Sequence, residues 1–338
     1  MGKLRMTDLI DTFNRTHRDL RVSLTDRCSL RCNYCMPLDF DKWLPSDELL
    51  TTDELMTVIG VATEHGIDQV RLTGGEPLLR PDIVDIVARI KALPNAPELS
   101  ITTNGLRLAK LASQLVDAGL SRVNVSLDTL DRERFTAMTH RDRFDDVIAG
   151  LNAARDAGLE PIKINSVLMQ GINDDEAPTL LKWALEEGFY LRFIEQMPLD
   201  AGGIWNRSTM VTAASIFESL SPHFQLNPVP VRGSAPAEEF YVNGGPATVG
   251  IIASVSQPFC GSCDRIRLTS DGQLRSCLFS RDEMDLRKVL RNTELSMDEI
   301  RSEISARLQK TVLGKLAGHG INNPDFVQPT RPMSAIGG

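Results

Sequence analysis

Six short segments rich in β-branched and apolar residues, Arg21–Thr25, Gln69–Gly74, Leu99–Asn104, Arg122–Asp128, Pro161–Met169 and Tyr190–Met197, alternate with amphipathic stretches over the first two-thirds of the 338-residue chain. No other feature limits the fold so tightly. The stretch TTDELMTVIGVATEHG carries a helical apolar period, with Thr51 or Thr52 as N-cap and Gly66 as stop, and RPDIVDIVARIKAL places Pro81 near a helix N-terminus. Strand followed by helix, repeated, predicts a parallel sheet with right-handed crossovers. Periodicity alone leaves a doubly wound sheet and a partial barrel both open. The polar residues are distributed by one rule. A cysteine-bearing loop follows the first strand, TGGEP (Thr73–Pro77) ends the second, TTN the third, SLD the fourth and EQMP the sixth. In parallel α/β folds that end of the strands is where loops and helix N-termini converge on a ligand.

Past residue 232 the alternation stops. A Gly-, Pro- and Ala-rich stretch leads into the strand candidate TVGIIAS and the hairpin RIRLTSDGQLRSCLF, which turns at Asp271-Gly272. Helical patterns follow at about Glu283–Leu290 and Ser296–Leu308, then a tail ending SAIGG. Two domains are expected, 1–232 and a smaller α+β module over 233–338. The tail reads as a frayed terminus on general grounds.

The six cysteines fall into two groups of three, Cys28, Cys32 and Cys35 (CSLRCNYC), then Cys260, Cys263 and Cys277. The N-terminus lacks the apolar core of a signal peptide or the Ser/Thr of an acylation motif, and no run approaches a membrane span, so a cytoplasmic location is expected. There disulfides are disfavoured, and clustered thiols point to metal or redox chemistry. Structural zinc takes four closed ligands, whereas a cubane iron–sulfur cluster on three thiolates leaves one iron open to a ligand. Zinc completed by a histidine, His17 or His65 for the first group and a distant one for the second, is the competing reading.

The net charge of −8 speaks against a broad nucleic-acid footprint, so any basic site is concentrated. Arg21, Arg71, Lys163 and Arg192 each interrupt an apolar strand, and Arg265 and Arg267 share a face two residues apart. Internal cations need anions: either internal carboxylates such as Glu195, or a bound polyanion. A triphosphate would satisfy the set.

CxxxCxxC after a first strand, an aromatic before its last cysteine, and GGEP after the second strand resemble the radical S-adenosylmethionine (SAM) superfamily. The second triplet, RIR after its CxxC, and the terminal Gly-Gly are similar to that superfamily's GTP-cyclising branch, from about Thr12 to Gly338. The resemblance implies a partial TIM-like (βα)6 barrel, and two [4Fe-4S] clusters on Cys28, Cys32, Cys35 and on Cys260, Cys263, Cys277. It implies SAM contacts from Tyr34, Gly74, Gly75, Glu76, Ser126 and Met197, and GTP contacts from Arg21, Arg71, Thr102, Lys163 and the Arg265, Ile266, Arg267 segment. Arg192 is added to the GTP set on the strength of its strand position. The implied reaction is radical cyclisation of GTP at the expense of SAM, an early step toward molybdopterin, with the open iron of the second cluster on guanine. Implied partners are a low-potential electron donor, the next enzyme of the pathway in transient contact and a second copy of the chain, with no nucleic acid and no membrane. The tail is implied to reach the active site. Gln69 stands where another cation is expected for phosphate.

Overall fold

In the computed structural model, which describes residues 7–36, 38–200, 203 and 205–337, the six expected strands form as β1 (Asp19–Ser23), β2 (Gln69–Thr73), β3 (Glu98–Thr103), β4 (Arg122–Ser126), β5 (Ile162–Val167) and β6 (Tyr190–Ile194). They pair side by side in sequence order, all parallel. A doubly wound sheet reverses its order at a switch point, and this one does not. The fold is therefore a partial TIM-like barrel. Later strands are β7 (Leu226–Pro228), β8 (Glu238–Val242), β9 (Thr248–Ile252), β10 (Arg265–Leu268), β11 (Gln273–Arg275) and β12 (Met284–Asp285).

These later strands continue the same sheet, at both of its edges. β9 pairs parallel with β6, and β10 pairs parallel with β1. The connection 253–264, which carries Cys260 and Cys263, thus leaves one side of the six-stranded unit and joins the other. β8 and β7 extend the first edge and β11 and β12 the second, all antiparallel. The β10–β11 hairpin turns where expected, with Gly272 at φ +84°.

Helices α1 (Thr52–Glu64), α2 (Ile83–Lys91), α3 (Leu108–Asp117), α4 (Arg132–Thr139), α5 (Phe144–Asp156), α6 (Ala177–Glu186) and α7 (Ala213–Leu220) follow the strands, and α8 (Arg287–Leu290), α9 (Met297–Leu313) and α10 (Met333–Ile336) lie in the C-terminal part. α1 opens on a capping box between Thr51 and Glu54, and α9 on one between Ser296 and Glu299, each pairing two otherwise orphaned backbone donors. The helix expected over Glu283–Leu290 is shorter. Met284 and Asp285 pair with β11 instead, and only Arg287–Leu290 is helical.

Strand alternation sorts the side chains into two faces. Leu20, Val22, Val70, Leu72, Leu99, Ile101 and their counterparts on β4–β6 are buried in the main core. The residues between them, Arg21, Arg71, Ser100, Thr102, Asn124 and Asn165 among others, take the opposite face. Every one of β1–β6 places at least one polar residue on the barrel's inner face. No helix among the described residues is long and apolar enough to cross a membrane.

Candidate active site between two cysteine triplets

The loop after β1 carries Cys28, Cys32 and Cys35, and the ends of β2, β3, β4 and β5 hold it. A Cβ on Gly75 would lie 2.4 Å from the carbonyl oxygens of both Asp26 and Arg27, and one on Gly74 would lie 2.5 Å from Thr25 O. Only glycine lets the end of β2 press this closely, and the contact is sealed by Gly75 N–H to Thr25 O (2.7 Å) and Glu76 N–H to Arg27 O (2.8 Å). The buried Glu76 carboxylate accepts from Leu78 N, Thr103 Oγ1 and Asn104 N at 2.7–3.0 Å, tying β2 to the end of β3. Asn104 Nδ2 in turn reaches Ser29 Oγ (3.1 Å) and Cys28 Sγ (3.8 Å). The Tyr34 hydroxyl donates to Asp128 Oδ2 at 2.7 Å, and Asp128 Oδ1 accepts from Val167 N, so the ends of β4 and β5 complete the clamp.

Burial, then the charge of Glu76, pushes the Cys28 thiol up to about 11; burial, then Cys28 and Asp128, pushes Cys35 up to about 12. Near neutral pH such thiols keep their protons unless a bound metal displaces them. The second triplet is mixed, and burial raises Cys260 as well. Burial acts to raise Cys263 also, but Arg265 and then Lys315 bring it down to about 7. Lys315 Nζ donates to Cys263 Sγ at 3.4 Å and to Arg265 O at 2.6 Å.

All six cysteines are free. Among the described residues, no three His, Cys, Asp or Glu side chains converge as one metal ion requires. Two of the candidate histidines have both ring nitrogens engaged, and the third, His17, has one. His17 Nε2 bonds Asp11, His65 is held between Thr7 O and Ser305 Oγ, and both ring nitrogens of His319 are engaged, with Ser254 O and Ile321 N. A three-thiol donor set without a fourth side chain suits an iron–sulfur cluster rather than closed zinc.

A cavity of about 170 Å³ opens beside the second triplet, whose three cysteines all form part of its wall, and Arg21, Arg71, Arg192, Arg265 and Arg267 line it. Register explains the crowding: Arg267, Arg21 and Arg71 stand directly side by side on β10, β1 and β2. Like charges in that relation repel. Burial, then Arg21 and Arg265, lowers Arg267 to about 9, and burial, then Arg21, holds Arg71 well below its ordinary value. The internal acids do not balance them. Asp19 lies 3.3 Å from Arg21, and Glu239 lies 3.4 Å from Arg192. Glu195 is spent elsewhere, accepting from the backbone of Ala213, Val255 and Ser256.

Thr102 and Met197 also line the cavity, whereas Lys163 stands outside its lining, lowered to about 8 by burial and then by Arg192 and Arg122. Ser126 is at the end of β4, beside Asn165. Ile266 is fully buried in the main core, its side chain on the opposite face from Arg265 and Arg267. Gln69 pairs with Asp19 and Glu98, one layer from the arginine row.

The tail is ordered within the site up to Gly337; Gly338 lies outside the described residues. Met333 lines the cavity, the Ser334 backbone donates to the Cys35 thiol, and Arg267 donates to Gly337 O. A Cβ on Gly337 would stand 2.6 Å from Thr73 Oγ1 and 2.8 Å from Ser23 Cβ. Sequence reasoning missed Asn104, Asp128, Phe259 and Lys315. The first two sat in the noted strand-end motifs; Phe259, stacked 4.7 Å from the Arg265 guanidinium, and Lys315 carried no local signal.

Comparison with known proteins agrees with this layout. Residues 22–184 match the Radical SAM superfamily model, and residues 189–315 match that of Molybdenum Cofactor Synthesis C. The chain is 56% identical to a GTP 3′,8-cyclase of Streptomyces coelicolor, over 98% of this chain and 96% of the relative. It is 54% identical to a GTP 3′,8-cyclase of Mycobacterium marinum, over 98% and 92%. Among solved structures, Streptococcus suis SuiB bound to S-adenosylmethionine superposes with a TM-score of 0.59 at 15% identity, covering 86% of this chain and 69% of that one. Native anSMEcpe with bound AdoMet gives 0.58 at 16% identity, over 87% and 80%.

Proposed function

The chain belongs to the GTP 3′,8-cyclases of the radical SAM superfamily, and we propose that its GTP lies in the arginine-lined cavity between two iron–sulfur sites, one on each cysteine triplet. The family joins ribose C3′ to guanine C8, giving (8S)-3′,8-cyclo-7,8-dihydroguanosine 5′-triphosphate in molybdenum cofactor biosynthesis, with SAM and iron–sulfur chemistry. Cys28, Cys32 and Cys35 would hold one cluster, which would supply the electron for SAM cleavage, and Cys260, Cys263 and Cys277 would hold a second, which would give guanine a binding site.

The rest falls to the protein's own groups. Arg21, Arg71, Arg192, Arg265 and Arg267, with Lys163 beyond them, neutralise the triphosphate, and Thr102 contacts the nucleotide. The carrying observation is the Arg267–Arg21–Arg71 row, three adjacent cations without three carboxylates to balance them. A polyanion turns their mutual repulsion into attraction. Gly74 and Gly75 set the cysteine loop against the end of β2, and Glu76 and Tyr34 hold it through Thr103 and Asp128, beside the SAM contacts of Ser126 and Met197. Ile266 acts through its backbone. α10 borders both, with Met333 lining the cavity and the Ser334 backbone on Cys35, and keeps water from them. In this reading residues 1–232 provide the SAM half and residues 233–338 the guanine half. Cytoplasmic location, a second copy of the chain and a low-potential donor complete it.

Anaerobic reconstitution with iron and sulfide tests the reading. About eight irons per chain and 5′-deoxyadenosine formation that depends on GTP are expected. Stoichiometric zinc, or SAM turnover indifferent to GTP, refutes it. Cys277→Ala is expected to abolish cyclisation and halve the iron while sparing some uncoupled SAM cleavage.

A further inference from the structure

The two triplets differ at one sulfur, Cys263, which has an ammonium against it. Around the first, after burial, Glu76 acts on Cys28 and Asp128 on Cys32 and Cys35. The donors aimed at its sulfurs are neutral: Asn104 Nδ2 at Cys28 and the Ser334 backbone at Cys35. Arg31, whose guanidinium bonds the carbonyls of Cys28 and Leu30, is a cation that acts on Cys28, but more weakly than Glu76. Around the second, the charged groups acting on Cys263 are Arg265 and Lys315.

Lys315 is 4% exposed, and among the described residues no carboxylate hydrogen-bonds it. Its place is built. Gly314 ends α9, and the Arg15 guanidinium then staples the following segment to the cysteine loop, donating to Leu316 O (2.8 Å), Ala317 O (3.2 Å) and Cys260 O (2.6 Å). Asp11 holds Arg15 at 2.6 Å. The ammonium is thus delivered to one sulfur, Cys263, with Arg265 O as its second acceptor.

We propose that Lys315 is a positioning residue for the second cluster, its ammonium at Cys263 making that site easier to reduce than the first. The proposal rests on the reading that Cys260, Cys263 and Cys277 hold an iron–sulfur cluster. Reduction adds one negative charge to the site. A fixed cation and an N–H···S bond favour the reduced state, and nearby carboxylates disfavour it.

The test is a potentiometric titration followed by electron paramagnetic resonance on two full-length proteins. One has Cys28, Cys32 and Cys35 changed to alanine and the other has Cys260, Cys263 and Cys277 changed, so that each keeps one triplet. The second site is expected at the higher potential, and the reverse order overturns the proposal without any Lys315 variant. In the protein that keeps the second triplet, Lys315→Met is expected to shift the reduction equilibrium about tenfold toward oxidised, about 59 mV for a one-electron couple. Lys315→Arg is expected to restore it. In the protein that keeps the first triplet, Lys315→Met is expected to change nothing. An unchanged second-site potential, or equal shifts at both sites, overturns the assignment. A second-triplet protein that takes up no iron overturns the cluster reading itself, and the two failures are told apart by iron and sulfide content.

Discussion

Replacing Arg71 by methionine separates a binding cation from a structural one, because the two roles predict opposite signs. Arg71 stands beside Arg21 in register, and its hydrogen bond to Ser100 Oγ is long at 3.3 Å. Relief of one directly opposed like pair is worth roughly 0.2–1 kcal/mol. Part of the several kcal/mol cost of holding a desolvated charge is also recovered, against about 0.5–1.5 kcal/mol for the lost hydrogen bond. The nucleotide-free Arg71→Met protein is therefore expected to be about 1 kcal/mol more stable than the parent, or no less stable. Its GTP affinity is expected to fall at least about 30-fold, the lower end of what truncating one partner of a buried charge pair costs. Anaerobic denaturant unfolding gives the first quantity and isothermal calorimetry with GTP the second. A destabilised protein that binds GTP normally refutes the reasoning, since Arg71 would then be a structural residue whose charge is neutralised within the fold.

Gly75→Ala places a Cβ against two backbone oxygens at 2.4 Å, so the cysteine loop must move and the first cluster is lost; an iron count near half that of the parent, with GTP binding retained, is the expected result. Lys163 loses its proton near pH 8 in the nucleotide-free protein, below the ordinary 10.5. The unfolded chain therefore holds more protons between those values, and this group adds stability as pH rises through them. A bound triphosphate restores the proton, so GTP affinity is expected to fall with pH above about 8, by up to about tenfold per unit, and Lys163→Met to flatten that dependence in calorimetry across buffers. Gly337→Ala, whose Cβ would strike Thr73 and Ser23, is expected to expel the tail: turnover falls severalfold while iron content and unfolding midpoint hold, and unchanged turnover sinks the idea that the tail shapes the site.

Much of the site was legible because the chemistry demands residue types that are rare inside barrels. L-R-V-S on β1 and V-R-L-T on β2 announced an apolar outer face and a charged inner one, and the register then set Arg21 beside Arg71. The roles given to single residues were harder to read. Gly74 and Gly75 are the only residues able to accept the backbone of Thr25–Arg27, a partner fifty residues away that no local pattern names. Glu195, read as a counter-ion, is instead a cap for the loop that carries Val255 and Ser256. The tail's composition is that of a loose end, yet its last described residue is held by Arg267.

By itself the amino-acid order determined the six strand–helix units, their parallel sense and the two clusters of three thiols, since each of these depends on spacing within a few turns of chain. Only tertiary structure decided that residues 248–252 and 265–268 would join opposite edges of one sheet, carrying the second triplet across the barrel to face the arginines of the first strands. It also decided that Lys315 and Asn104 would each reach a thiol. Those contacts join segments up to hundreds of residues apart. They are selected by the total free energy of packing, to which no single stretch of sequence holds the key.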